Sequence, residues 1–225
     1  CENSLRNLGV ETLGMFYQHR SDPNTPVEAV AETCVELIKE GKILHWGMCE
    51  VNAGTIRRAH AVCPVTAIQS EYHLMHRTVE ENGVLALCEE LGIGFVPYSP
   101  LNRGFLGGLI NEYTQFDATN DNRQTLPRFQ SDAIRANTRI VEVLNAFGRT
   151  RGYHARTGGV GMADEQASVY RSHSRHDETL APRRESARRR HCVYGGGNGG
   201  TGTSRRRYPV VGSRYDALQE SKIQK

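Results

Sequence analysis

The segment LGMFYQHR (residues 13–20) places a histidine directly after a short apolar run, and three later segments share this design. These segments are ILHWGMCE (43–50), VTAIQSEY (65–72) and IGFVPYSPL (93–101). Each ends in polar or aromatic side chains rather than in turn residues alone. If the runs form parallel strands, the side chains at their ends lie together along one edge of a sheet.

Stretches with helical spacing separate the four runs. Their members are Val27, Val30, Ala31, Cys34, Leu37 and Ile38, then Ile56, Ala59, His60 and Cys63, then Val84, Leu85, Leu87, Cys88 and Leu91. Residues 22–26 (DPNTP) open the first helix, and Gly41 and Gly92 stand where helices end. Because strand and helix alternate, the sequence predicts an α/β fold with a parallel sheet.

Two α/β folds share this local pattern, the closed barrel and the open doubly wound sheet. The open sheet usually carries a glycine-rich phosphate-binding turn after a strand. No such turn occurs between residues 10 and 150. The sequence therefore favours a (β/α)8 TIM barrel, in which active-site groups lie at the carboxyl ends of the strands.

Four motifs then match a known family. The motifs YQHR (17–20), IKEGKILHWGMCE (38–50), AIQSEY (67–72) and GIGFVPYSPLNRGFLGG (92–108) closely resemble the aldo-keto reductases. The resemblance covers residues 1–152, with the motifs in family order, and is strongest to the branch with a long loop after the seventh strand. It implies a partial barrel of about strands four to seven. It also implies NADPH as cofactor and hydride transfer to or from an aldehyde or ketone.

The resemblance assigns roles only where residues match. His19 resembles the active-site histidine, which orients and polarises the substrate carbonyl. Gln69 resembles the glutamine that binds the nicotinamide carboxamide, and Cys49 with Glu50 replaces the usual serine followed by asparagine or glutamate. Tyr98 resembles the tyrosine that stacks on the nicotinamide ring. The segment similar to the pyrophosphate-binding loop contributes Ser99, Leu101, Arg103 and Gly104.

Some of these residues also fit other roles. A lone histidine at a strand end is usually structural, and only the four motifs together favour a catalytic role for His19. Cysteine is a weaker hydrogen-bond donor than serine, so we expect a weak contact from Cys49. Glu50 and Glu71 fit equally well as barrel-interior carboxylates that are paired with cations.

The general acid of the family lies outside the matched motifs. It is a tyrosine, assisted by a lysine and an aspartate, and all three precede the histidine on the first three strands. The residues before His19 contain no lysine. We therefore expect the chain to be N-terminally truncated and to have little or no activity, because loss of a general acid lowers rates by about 10²- to 10⁴-fold.

Composition changes abruptly after Gly152. Residues 153–207 contain no isoleucine, phenylalanine or lysine, and arginine and glycine accumulate in APRRESARRR (181–190) and GGGNGGTGTSRRR (195–207). Such a segment lacks the residues for a core and is predicted to be disordered. Residues 208–225 then resemble the family's C-terminus again. The predicted organisation is a partial barrel over 1–152, the disordered segment over 153–207 and a family-like tail over 208–225.

A reading-frame change accounts for this interruption. If residues 154–180 are back-translated and read one nucleotide later, favourable wobble bases give TPAQVALAWLMNKRPYIVPIPGTTKLS. That string resembles the family's penultimate helix, its eighth strand and the loop that binds the NADPH 2′-phosphate. The hypothesis is a compensating pair of insertions or deletions near codons 152 and 207.

The arginine-rich segment also has an alternative interpretation. Arginine with interspersed glycine is typical of flexible RNA-binding tails. The chain would then be the non-catalytic product of a decayed gene, with a tail that binds nucleic acid non-specifically. The segment has no RGG repeat and few aromatic residues. The sequence therefore favours an inert segment, and we expect no nucleic-acid partner.

The remaining features predict a cytoplasmic protein without a metal site. The six cysteines lack paired or metal-ligand spacing and are expected to be reduced thiols. His73 and His76 have a loop spacing that is more often solvated than metal-binding. No hydrophobic span indicates a membrane helix. The expected partner is a small-molecule carbonyl substrate, whose identity and the oligomeric state stay open.

Overall fold

A computed structural model describes residues 1–151, 209–220 and 223. Its four strands are β1 (Phe16–Gln18), β2 (Trp46–Cys49), β3 (Ala67–Glu71) and β4 (Gly94–Tyr98). They form one sheet in the order β1-β2-β3-β4, and every neighbouring pair is parallel. The predicted parallel α/β sheet is therefore confirmed, and the four strand ends lie along one edge.

Helices connect the strands and cover the sheet. The helices are α1 (Glu2–Leu8), α2 (Val27–Lys39), α3 (Ala53–Val62), α4 (Val84–Leu91), α5 (Ser131–Arg151) and α6 (Ala217–Glu220). Short 3₁₀ turns lie at Thr78–Glu80, Phe105–Gly107, Asn122–Thr125 and Pro127–Phe129. Helices α2, α3 and α4 each follow one strand and precede the next, which is the repeating unit of a βα barrel. No helix in the described part of the chain is long and apolar enough to cross a membrane.

The core lies between the sheet and these helices. Every residue of β2 is buried, and Trp46 donates from Nε1 to the carbonyl oxygen of Cys63 at 3.3 Å. The buried apolar residues of the three connecting helices are Val27, Ala31 and Cys34 on α2, Ile56 and Ala59 on α3, and Val84, Leu85, Leu87 and Cys88 on α4. These are members of the apolar faces that helical spacing predicts. The described cysteines are free thiols.

A segment from the far end of the chain packs against this core. We call residues 209–216 the C-terminal strap. Val210 and Tyr215 contact the core, and Gly212 has a left-handed φ of 84°. A Cβ atom at position 212 would lie 2.8 Å from the Cα atom of Arg128, so only glycine fits there. The predicted disorder, the reading-frame hypothesis and the nucleic-acid alternative concern residues 153–207, which lie outside the described residues.

Candidate active site

His19 directly follows β1 and is exposed at the carboxyl edge of the sheet. The strand ends there because β1 pairs with β2 only as far as Gln18 and Met48. An exposed imidazole at this edge is accessible to a small molecule, and in its neutral form it can donate a hydrogen bond to a carbonyl oxygen.

Cys49, the last residue of β2, is directly paired with Gln69 in the middle of β3. The Cys49 Sγ atom lies 3.8 Å from Oε1 of Gln69, and Arg20 donates from Nη1 to Sγ at 3.3 Å. Burial raises the pKa of the Cys49 thiol, and the charge of Arg20 opposes this only in part. The thiol is therefore protonated near neutral pH and acts as a weak donor to Gln69.

Glu50 turns away from this pair. Its backbone has a left-handed φ of 56°, and its Oε1 atom accepts from the backbone N–H of Glu71 at 2.7 Å. Arg214 of the strap binds the same carboxylate with both terminal nitrogens, Nη1 to Oε1 at 3.2 Å and Nη2 to Oε2 at 2.8 Å. This bidentate contact supports the second of the two predicted roles of Glu50, a buried carboxylate paired with a cation.

The ionised form of Glu50 is stabilised by neighbouring groups. Burial raises the pKa of the carboxyl group, but the hydrogen bonds and charge of Arg214 outweigh burial, so the pKa lies below its usual value. Arg214 also approaches Oε2 of Glu71 at 3.6 Å, and each of the three side chains is at most 5% exposed. The strap thus contributes the cation of a buried ionic cluster.

Two histidines extend this cluster, and the expectation that they are solvated was wrong. His73 is fully buried, with Nε2 2.7 Å from Oε1 of Glu71 and with Nδ1 accepting from the backbone N–H of Met75. His76 lies 3.1 Å from Nη1 of Arg214. Burial lowers the pKa of His76 to about 4, and the charge of Arg214 acts in the same direction. Both imidazoles are therefore neutral near pH 7.

The loop after β4 has an unusual backbone. Ser99, Asn102 and Arg103 adopt left-handed φ angles of 53°, 47° and 53°, and Gly104 follows with a φ of 95°. Non-glycine residues in this region cost about 1–2 kcal/mol each, so the surroundings must hold the loop in shape. Two backbone hydrogen bonds within the loop contribute, from Asn102 to Ser99 at 2.7 Å and from Gly104 to Leu101 at 3.1 Å.

Tyr98 and Arg103 both contact the strap through one residue. The hydroxyl oxygen of Tyr215 lies 3.2 Å from that of Tyr98 and accepts from Nη2 of Arg103 at 3.0 Å. The guanidinium carbon of Arg103 lies 5.3 Å from the centre of the Tyr215 ring. Burial and the charge of Glu50 raise the pKa of Tyr98 well above its usual value, so its hydroxyl stays protonated.

Sequence reasoning placed several of these groups and missed others. Cys49 and Tyr98 are the last residues of β2 and β4, and Gln69 lies within β3 opposite Cys49. No role was predicted for Arg214 or Tyr215. The available signal was the return at 208–215 of a sequence that resembles the family, directly after a segment with no isoleucine or phenylalanine. Among the described residues no group of three His, Cys, Asp or Glu side chains could hold a metal ion.

Comparison with known proteins gives the family of the chain. The model of the aldo/keto reductase family matches residues 1–157. The chain belongs to the aldo/keto reductase family. The probable aldo-keto reductase 1 of Glycine max is 42% identical over 149 residues, which are 66% of this chain and 42% of that relative. The chain therefore spans less than half the length of this curated aldo-keto reductase.

Two solved aldo-keto reductase structures share the fold. The glycerol dehydrogenase AKR11B4 of Gluconobacter oxydans superposes with a TM-score of 0.66 and 23% identity, over 83% of this chain and 66% of that protein. The thermostable aldo-keto reductase Tm1743 superposes with a TM-score of 0.51 and 19% identity, over 68% of this chain and 46% of that protein. These likenesses confirm the predicted fold class, a partial aldo-keto reductase barrel.

Proposed function

We propose that this chain supplies the nicotinamide-binding side of an NADP(H)-dependent aldo-keto reductase, which interconverts aldehydes or ketones and alcohols. The observation that carries the proposal is the contact between Cys49 and Gln69 on neighbouring strands of the sheet whose carboxyl edge carries His19 and Tyr98. A primary amide, an aromatic ring and an imidazole are the groups that a nicotinamide and a carbonyl substrate require.

Each group has a distinct task in this proposal. Gln69 hydrogen-bonds the nicotinamide carboxamide, and the Cys49 thiol holds the Gln69 amide by donating to its oxygen. Tyr98 stacks on the ring and so fixes which face is presented to the substrate. His19 donates to the reacting oxygen. The bound cofactor supplies or accepts the hydride. In this proposal the substrate is a small-molecule carbonyl compound. We also propose that the protein is located in the cytoplasm.

The loop after β4 fits the charged part of a dinucleotide. The left-handed residues hold the loop in a compact turn, in which the N–H groups of Asn102 and Gly104 already donate to carbonyl oxygens of the loop, so a bound anion would rely mainly on side-chain charge. Arg103 adds a cation at the same place. In this proposal Ser99, Leu101, Arg103 and Gly104 enclose the pyrophosphate.

Catalysis also requires a proton donor. The segment before His19 contains no lysine. These residues therefore do not supply the family's proton donor, a tyrosine that is assisted by a lysine and an aspartate. We therefore propose that the chain by itself binds the cofactor without turnover. In this proposal Glu50 does not contact the cofactor. It binds Arg214 and so holds the strap against the site.

Titration with NADPH and with NADH, followed by cofactor fluorescence, tests the proposal. We expect saturable binding that is tighter for NADPH, and weakening by about three- to tenfold in Tyr98→Ala, since a stacked aromatic pair contributes about 0.5–1.5 kcal/mol. Tyr113→Ala is the matched control, because Tyr113 is 83% exposed. Equal affinities for the two variants, or no saturation, would reject the proposal. Steady-state oxidation of NADPH with an aldehyde would contradict the absence of turnover.

A further inference from the structure

Tyr215 occupies a position between two residues of the proposed cofactor site. Its hydroxyl accepts from Arg103 and lies 3.2 Å from the Tyr98 hydroxyl, to which it can donate. One phenol group therefore fixes the polar end of the Tyr98 ring and the guanidinium group of Arg103 together. These are the ring proposed to stack on the nicotinamide and the cation proposed to face the pyrophosphate.

Arg214 holds Tyr215 in this position. It is the neighbouring residue, its guanidinium carbon lies 4.8 Å from the centre of the Tyr215 ring, and its two terminal nitrogens bind Glu50. A bidentate pair of this kind fixes both the distance and the plane of the guanidinium group. The end of β2 is thereby connected to the loop after β4 through two consecutive residues of the strap.

The loop requires such support. Ser99, Asn102 and Arg103 hold left-handed conformations that non-glycine residues rarely adopt. A long arginine side chain also samples many rotamers unless its guanidinium group is engaged. The contact uses Nη2 of Arg103, and the remaining N–H groups can still donate to an anion.

We propose that Tyr215 is a positioning residue of the dinucleotide site, which orders Tyr98 and the 99–104 loop, and that Arg214 acts through it. Glu50 pairs with Arg214 and also hydrogen-bonds Tyr98 directly. The inference rests on the proposed function for the identity of the ligand. The ordering of the loop is a separate property, which can be measured without any cofactor.

Hydrogen–deuterium exchange on the full chain tests the ordering directly. Tyr215→Phe removes one hydroxyl group and keeps the ring, and we expect exchange in residues 99–104 to become several-fold faster while β1, β2 and β3 keep their protection. Tyr113→Phe removes an exposed hydroxyl and serves as the matched control. Unchanged exchange in the loop, or an equal increase throughout the sheet, would overturn the proposal.

The same variants test the link to the cofactor. Loss of one hydrogen bond is expected to weaken NADPH binding by about three- to tenfold in Tyr215→Phe and to leave Tyr113→Phe unchanged. Arg214→Met should reproduce the loop effect, and Tyr215→Phe decides the question alone if Arg214→Met does not fold. If the unmodified chain does not bind NADPH, the proposed function fails, and the exchange result still decides whether Tyr215 orders the loop. Unchanged NADPH affinity together with faster loop exchange would overturn the cofactor link.

Discussion

Asn137 of α5 donates from Nδ2 to the carbonyl oxygen of Val211 at 2.8 Å and accepts from the Val211 N–H at 2.9 Å. One buried side chain thus pairs with both backbone groups of a residue 74 positions away. The pairing resembles the contact that a neighbouring strand would make. It fixes the strap to the barrel before the strap reaches the site.

Replacement of Asn137 by leucine should detach this point of the strap. Two backbone groups of Val211 lose their partner, and we expect a loss of about 1–3 kcal/mol of unfolding free energy. Urea denaturation measures the effect. Glu142→Leu, at an exposed position of the same helix, should change stability by less than half a kcal/mol or so. Equal stability of the Asn137 variant and the unmodified chain would show that the strap is not held here.

A double-mutant cycle can measure the coupling energy between Glu50 and Arg214. Arg214→Met leaves a buried carboxylate without its main cation, and we expect a loss of about 3–5 kcal/mol. Adding Glu50→Gln should recover part of that loss, with a coupling of about 1–3 kcal/mol by denaturant titration. The exposed pair of Arg57 and Glu90, at 2.7 Å, is the control cycle and should give at most about 1 kcal/mol. Similar coupling energies in both cycles would contradict the role of burial.

Acid should destabilise the fold through His76. Burial and Arg214 lower the pKa of His76 to about 4 from an ordinary value of 6.5. Between these values only the unfolded chain binds the proton. Stability is therefore complete above pH 6.5 and falls as the pH drops toward 4, by up to about 3 kcal/mol.

Denaturant midpoints measured from pH 4 to pH 8 check this slope. His76→Gln should reduce the slope, and His73, whose pKa burial also lowers, should account for what remains, whereas His45→Gln, at an exposed position, should leave it unchanged. Glu50, whose pKa is lowered from 4.5, should begin to lose its contribution as the pH falls below about 4.5. A slope of undiminished size in His76→Gln would assign the acid sensitivity to other groups.

Cys49→Ser tests the contact with Gln69. A hydroxyl group is the better donor, and the oxygen distance should shorten from the 3.8 Å of the thiol to about 2.8 Å. On the proposed function, NADPH binding should tighten by about two- to fivefold, as measured by titration. Cys34→Ser is the control, because this buried thiol lies on α2 and its replacement should lower stability without changing affinity. Weaker NADPH binding in Cys49→Ser would contradict the proposed holding role.

The sheet and half of the site could be predicted from local patterns. Alternating apolar runs and helical spacing define βα units of a parallel sheet, in which β2 and β3 are neighbours and Cys49 lies opposite Gln69. The ion pair between Glu50 and Arg214 has no local signature, because its members lie 164 positions apart. The left-handed backbone of Asn102 and Arg103 also has no signal in the sequence, since non-glycine residues adopt it only when tertiary contacts impose it.

The separation of contacting residues along the sequence also bears on the order in which the contacts form during folding. Strand contacts such as that of Cys49 with Gln69 close only 20 positions of chain, whereas the contact of Glu50 with Arg214 closes 164. Short closures form sooner and long ones later. The sheet of β1 to β4 would therefore form before the strap is in place, and the site would be complete only once residues 209–216 pack against it.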